Sequence, residues 1–187
     1  MKKENWLLHT RVDIEPYVEA LSKCKNVIDA TGNSSAIGPN TKQLNYCDDK
    51  TPYAKVLSNT INDILQERPD FKNRIKLDRL DYVHLWTVEG QENSYHRLHR
   101  HSNSTEDEHI RYDFCLSTVL YVNVPDKDPK GEFYCLIEKD NDTILRCFKP
   151  EVGDLFIFPW TLYHGVYPQG PGLRKTINCD FAYKSER

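Results

Sequence analysis

A mainly β fold, a sandwich or barrel with two helices packed outside it, is what this 187-residue sequence predicts. Three observations carry that reading. From about residue 74 onward the chain becomes a series of short runs rich in β-branched and aromatic residues. Turn-forming clusters separate those runs at the spacing seen in sandwiches and barrels. Before that point, two segments repeat apolar residues at helical intervals.

The first helix is expected over 13–25. Ile14, Tyr17, Val18, Leu21 and Cys24 share a helical stripe, Asp13 suits the cap, and Pro16 sits in the first turn, where a missing N–H is tolerated. A loop rich in Gly, Asn, Ser and Pro is expected over 31–50. A loop that long in a compact domain is mobile or functional, which makes it a candidate rim for a substrate site. The second helix opens with Thr51 as N-cap and Pro52 at the first helical position. Tyr53, Val56, Leu57, Ile61, Ile64 and Leu65 form its apolar stripe, and Pro69 ends it. Strands are then expected over 79–88, 112–124, 131–138, 143–148, 154–158, 163–166 and 174–183, with turns at 125–131, 140–142 and 169–172.

The length suits one domain with a proper core. Hydrophobic residues make up 39% and charged residues 28%, with a formal net charge of -3. Nothing in that balance indicates nucleic acid as a partner. No segment reaches membrane-span length, and the first residues lack the apolar run of a signal peptide, so the expected location is cytoplasmic. The six cysteines are scattered without a C-x-x-C pair and read as reduced thiols.

The residues that carry chemistry lie in the C-terminal half. His99 and His101 form an H-x-H unit whose side chains share one face of a strand, because strand side chains alternate with period two. His164 follows the apolar run at 154–158 and a turn. Arg174 lies on the next strand with Thr176 on its own face. Imidazole is a good neutral donor to Fe(II), and two histidines plus one carboxylate leave positions open for a cosubstrate and oxygen. The carboxylate would come from Glu106, Asp107, Glu108 or Asp113. The planar fork of Arg174, with the Thr176 hydroxyl, can grip a carboxylate, and Tyr121 on a neighbouring strand can add a hydrogen bond. Trp160, four residues before His164, is the candidate for lining a substrate pocket. His9, His84, His96 and His109 read as structural, with His96 and His109 near enough to support the ligands.

Five stretches carry a family resemblance: YHRLHRH (95–101), DFCLSTVLYVNVP (113–125), GEFY (131–134), KPEVGDLFIFPWTLYHGVYP (149–168) and GLRKTINCDF (172–181). Together they resemble the 2-oxoglutarate/Fe(II)-dependent oxygenase superfamily, especially its small phage and bacterial members related to prolyl 4-hydroxylases. The resemblance implies a double-stranded β-helix (jelly-roll) core with flanking N-terminal α-helices. It implies a single domain over 1–187, with 1–75 as helical support and 76–187 as the catalytic core. It also implies Fe(II), 2-oxoglutarate as cosubstrate and O2, with hydroxylation of a small-molecule or peptide substrate and release of succinate and CO2. His164 matches the distal iron ligand and His99 the first ligand. Arg174 matches the residue that binds the far carboxylate of 2-oxoglutarate, Thr176 the hydroxyl position beyond it, and Tyr121 the assisting tyrosine.

One position departs from the pattern. His101 stands where the superfamily has Asp or Glu. Three arrangements follow: a three-histidine site, a site completed by a carboxylate between Glu106 and Asp113, or a site with two protein ligands. A histidine-rich set also fits a cupin-type metalloprotein or dioxygenase that does not use 2-oxoglutarate. A jelly-roll interaction protein without catalysis is the remaining class.

Overall fold

The computed structural model describes residues 6–32, 36–67, 82–101, 114–125, 130–139 and 142–183. In chain order these form β1 (Leu8–Arg11), α1 (Glu15–Ser22), β2 (Val27–Asp29), β3 (Thr41–Tyr46), α2 (Thr51–Gln66), β4 (Tyr82–Gly90), β5 (His96–His99), β6 (Phe114–Asn123), β7 (Phe133–Lys139), β8 (Asp142–Phe148), β9 (Asp154–Pro159), β10 (Tyr163–Val166) and β11 (Arg174–Tyr183). The strands make two antiparallel sheets. The larger runs β1-β9-β6-β11-β4-β3-β2 and the smaller β5-β10-β7-β8. This is the expected mainly β jelly-roll with two helices outside it.

Alternation along the central strands builds two cores from one sheet. Leu116 and Leu120 of β6, Leu155 and Ile157 of β9, and Ile177, Cys179 and Phe181 of β11 face outward. They are buried under Tyr53, Leu57, Ile61 and Leu65 of α2, with Tyr17 of α1. The opposite faces point at the small sheet, where Tyr121, Phe156 and Phe158 meet Phe133, Cys135 and Val166. Burying Leu57 and Ile61 completely is worth about 1.5–3 kcal/mol per side chain, so the α2 stripe anchors the helix more than any cap does.

Several local expectations change. α1 spans Glu15–Ser22 rather than 13–25, and Asp13 Oδ1 accepts the Glu15 N–H at 3.0 Å. Thr51 is the first residue of α2 rather than its cap, and its N–H goes to Asp49 Oδ1 at 2.9 Å. Pro69 and the start of the strand expected at 79 lie outside the described residues. The loop expected over 31–50 contains β3, which pairs with β4 from Thr41↔Gly90 to Tyr46↔Leu85. β1, β2 and β3 all join the large sheet, so the part before residue 75 supplies strands as well as helices. No described helix is long and apolar enough to cross a membrane, and the six cysteines are free thiols.

Candidate metal centre and anion-binding cavity

Between the two sheets lies a cavity of about 330 Å³, within the usual range for a small-molecule site. At one end stand His99, His101 and His164, whose donor nitrogens all lie within 4.8 Å of one another. Register brings the first and last together, because His164 of β10 pairs directly with His99 of β5. The β10–β5 register shifts between His164 and Val166. Gly165 sits at that point, and a Cβ there would meet the Tyr134 ring and the His96 carbonyl at 2.5–2.8 Å, so only glycine fits. His101 is not on the strand. β5 ends at His99, and the chain beyond it is held by the His101 N–H donating to the Trp160 carbonyl at 2.9 Å.

Each of the three rings is anchored through Nδ1. His99 Nδ1–H donates to the Arg97 carbonyl (2.8 Å) and His164 Nδ1–H to the Leu162 carbonyl (3.0 Å). His101 Nδ1 lies 2.6 Å from Asp180 Oδ2 and 2.9 Å from Ser117 Oγ, while the Ser117 hydroxyl donates to Asp180 Oδ1 at 2.6 Å. With Nδ1 protonated in all three, the Nε2 lone pairs are the ones left to bind a cation. Burial pushes the His164 imidazole well below its ordinary pKa, with the neighbouring histidines adding to it, and burial also lowers that of His99. Burial opposes charge on His101 too, but the charge and hydrogen bond of Asp180 outweigh it and raise its pKa. Two imidazoles held neutral by burial, and a third oriented by Asp180, present pre-oriented Nε2 donors, which is chemistry that suits a divalent transition metal such as Fe(II).

The cavity's other polar groups come from one strand face. Arg174, Thr176, Asn178 and Asp180 alternate along β11 and are all buried. Thr176 pairs with Tyr121 of β6, and both line the cavity. The Tyr121 hydroxyl is buried with no hydrogen-bond partner, and burial pushes its pKa up to about 12, so it is a neutral donor facing the cavity. Arg174, 4% exposed, pairs with Gly90 of β4 and reaches Ser94 Oγ at 3.4 Å. Ser94 in turn donates to Gln169 Oε1 (2.9 Å), whose amide donates to the carbonyls of Gly90 (3.0 Å) and Gly172 (2.8 Å). His96 lines the same cavity, with Nε2 buried and unpartnered. Burial, then the charge of Arg174, push its pKa down to about 3.

Seven of the expected site residues can therefore be placed. His99, His101 and His164 meet, and Arg174, Thr176 and Tyr121 line the same cavity. Trp160 does not line it. Its ring is buried with Ala182 and Cys115, and its indole N–H donates to the Leu116 carbonyl at 2.8 Å, so it touches the site through its backbone. A large aromatic after an apolar strand found core rather than cavity. Asp113, like Glu106, Asp107 and Glu108, lies outside the described residues. Asp180, Ser117, Ser94 and Gln169 were not foreseen. The polar alternation Arg174, Thr176, Asn178, Asp180 signals the first, and Ser117 is a polar break in an apolar strand. Ser94 and Gln169 lie in connecting segments with no motif to mark them.

No protein-family model matches the sequence, and no curated protein sequence matches it. Solved structures do match the fold. A Pseudomonas putida prolyl-4-hydroxylase superposes with a TM-score of 0.62 at 15% identity, covering 96% of this chain and 93% of that one. HygX from Streptomyces hygroscopicus, solved with nickel and 2-oxoglutarate bound, gives 0.61 at 13% identity over 95% of this chain and 82% of that one. A Trichoplax adhaerens prolyl hydroxylase, solved with a hypoxia inducible factor peptide fragment, gives 0.59 at 14% identity over 95% and 84%. The chain has the 2-oxoglutarate/Fe(II) oxygenase-like fold.

Proposed function

We propose that this protein is an Fe(II)- and 2-oxoglutarate-dependent oxygenase that hydroxylates a small-molecule or peptidyl substrate. The observation that carries the proposal is that one cavity holds both a three-histidine cluster and a buried arginine flanked by donors. His99, His101 and His164 would hold the iron through Nε2. Arg174 would bind the far carboxylate of 2-oxoglutarate with its planar fork, and the unpartnered Tyr121 hydroxyl would donate beside it. Thr176 Oγ1 accepts from Asn178 at 3.0 Å, which leaves its own O–H to donate into the same space. Phe133 and Phe158, with ring centroids 6.0 and 4.5 Å from that of His164, keep water from the histidines. Bound iron with 2-oxoglutarate and O2 would supply the oxidant for a substrate C–H bond, one oxygen atom going to the substrate and the other to succinate, with CO2 released.

The test is succinate formation from 2-oxoglutarate after anaerobic Fe(II) loading and exposure to oxygen. The expected result is metal-dependent succinate that Arg174→Ala abolishes while metal content stays unchanged. A metal-loaded protein that neither binds nor decarboxylates 2-oxoglutarate overturns the proposal. The donor set favours one other reading, since the described cluster is three imidazoles with no carboxylate in it. That reading is a three-histidine dioxygenase without 2-oxoglutarate, and it predicts metal binding with no effect of Arg174→Ala on metal or oxygen chemistry.

A further inference from the structure

We propose that Asp180 is the carboxylate of this metal centre, acting through His101 instead of touching the metal. The inference rests on the metal-binding role given above to the three histidines. A dication on three neutral imidazoles keeps its full charge inside a cavity walled partly by Phe133 and Phe158. A directly bound carboxylate would offset part of that charge, and none is in the described cluster.

Among the described residues, Asp180 supplies a negative charge at the next remove. It lies on β11, directly opposite Ser117 of β6, and its two oxygens are divided between two donors. Oδ2 accepts from His101 Nδ1 at 2.6 Å and Oδ1 from Ser117 at 2.6 Å, and Ser117 Oγ lies 2.9 Å from the same His101 nitrogen. This closed triangle fixes the ring plane of His101 and keeps its proton on Nδ1, so Nε2 turns to the other two histidines. It also makes His101 the most basic of the three donors, because a carboxylate on Nδ1–H pushes electron density toward Nε2. His99 and His164 have backbone carbonyls in that place. Position 101 thus carries an imidazole backed by a carboxylate. Asp180 is a positioning residue, and Ser117 seats it.

The experiment is Co(II) titration of the full metal-free chain, followed by visible absorption, in a double-mutant cycle. Asp180→Asn keeps the shape and loses the charge, and should weaken Co(II) binding about 10–100-fold, the usual loss for an outer partner of a metal ligand. In a His101→Asp background the metal gains a direct carboxylate, and Asp180 becomes a like charge beside it. There Asp180→Asn should be neutral or strengthen binding. A merely structural aspartate would weaken both backgrounds equally, and that result overturns the inference. So does an unchanged affinity for Asp180→Asn in the natural background. Ser117→Ala carries the same comparison if Asp180→Asn does not melt cooperatively. His164→Ala separates the two levels. If it leaves Co(II) affinity intact, the metal centre itself is wrong; if it abolishes binding while the cycle shows no coupling, only the role of Asp180 is wrong.

Discussion

The two ends of the cavity are assembled in different ways. At the arginine end, Arg174, Thr176 and Tyr121 stand on adjacent strands of the large sheet, and backbone register alone brings Thr176 opposite Tyr121. At the histidine end, His99 and His164 come from the small sheet, while His101 lies past the end of β5. Its position depends on the Trp160 carbonyl and on Asp180 and Ser117 of the large sheet. One end is built by pairing within a sheet, and the other by hydrogen bonds that tie two sheets together. The first should tolerate loss of a single contact. The second should fail at the contact that bridges.

The largest effect is expected at the histidine end. His164→Ala removes a buried donor at the junction of β5, β7 and β10, and should reduce divalent-metal affinity by more than the roughly 10–100-fold that loss of an outer partner costs. Equilibrium dialysis with Co(II) or Ni(II) checks it, and an affinity close to that of the parent would dissolve the distinction between the ends. Next comes the arginine end. Arg174→Ala should weaken 2-oxoglutarate binding by about 2–5 kcal/mol, roughly 30-fold or more, because a desolvated charge partner is removed. Metal affinity should be unchanged. Arg174→Lys should recover only part of the loss, since an ammonium cannot form the bidentate fork. Isothermal titration of the metal-loaded protein separates the two variants.

The same difference explains what the sequence disclosed. β6 and β11 were legible as ten-residue strands rich in β-branched, aromatic and other apolar residues, and β9 because its core is an unbroken apolar run, while the Arg174–Thr176 pair follows from alternation along a single strand. β1, β2, β3 and β5 were not. They are short and lack an apolar run, and polar residues such as Lys42, Gln43 and Asn45 in β3 break the pattern, because Gln43 faces the cavity rather than a core. The H-x-H spacing suggested one strand face for His99 and His101, yet the strand stops at His99 and a tertiary hydrogen bond brings His101 to the site. The carboxylates expected just after the motif, at 106–113, lie outside the described residues, and the one that reaches His101, Asp180, is 79 residues along the chain. Pairing over that distance is set by sheet topology, which spacing does not encode.

A smaller effect tests how the arginine end is stiffened beyond the sheet. Gln169→Ala strips the Gly90 and Gly172 carbonyls of their donor and Ser94 of its acceptor. Leaving the buried Gly90 and Ser94 groups without these partners should cost about 1–3 kcal/mol. For a chain of this size that is a melting temperature lower by several degrees, at roughly 2–4 °C per kcal/mol. Because Ser94 then no longer holds Arg174 in place, the KM for 2-oxoglutarate should rise several-fold with metal affinity unchanged. A variant that loses stability with the same KM would assign the clamp to the fold alone.

The effect confined to acid pH is one proton's worth, and it joins the two ends, since His96 feels the charge of Arg174 and its ring is near that of His99. Its ring is 6.2 Å from that of His99, and Arg174 adds to the burial that holds its pKa at about 3. In the unfolded chain the same imidazole titrates near its ordinary value of 6.5. The unfolded state therefore binds the extra proton first as pH falls, so the stability His96 contributes is complete above 6.5 and is lost between 6.5 and about 3. One such proton gives a slope of at most about 1.4 kcal/mol per pH unit. His96→Gln keeps a polar group without the titration, and in the metal-free protein it should flatten the fall in unfolding free energy, read from denaturant titrations between pH 6.5 and 4, by up to that amount. Above pH 7 the variant's pH dependence should match the parent's. Equal slopes below 6.5 would mean that His96 takes up its proton in the folded protein, and that the charge of Arg174 does not reach across to the histidine end.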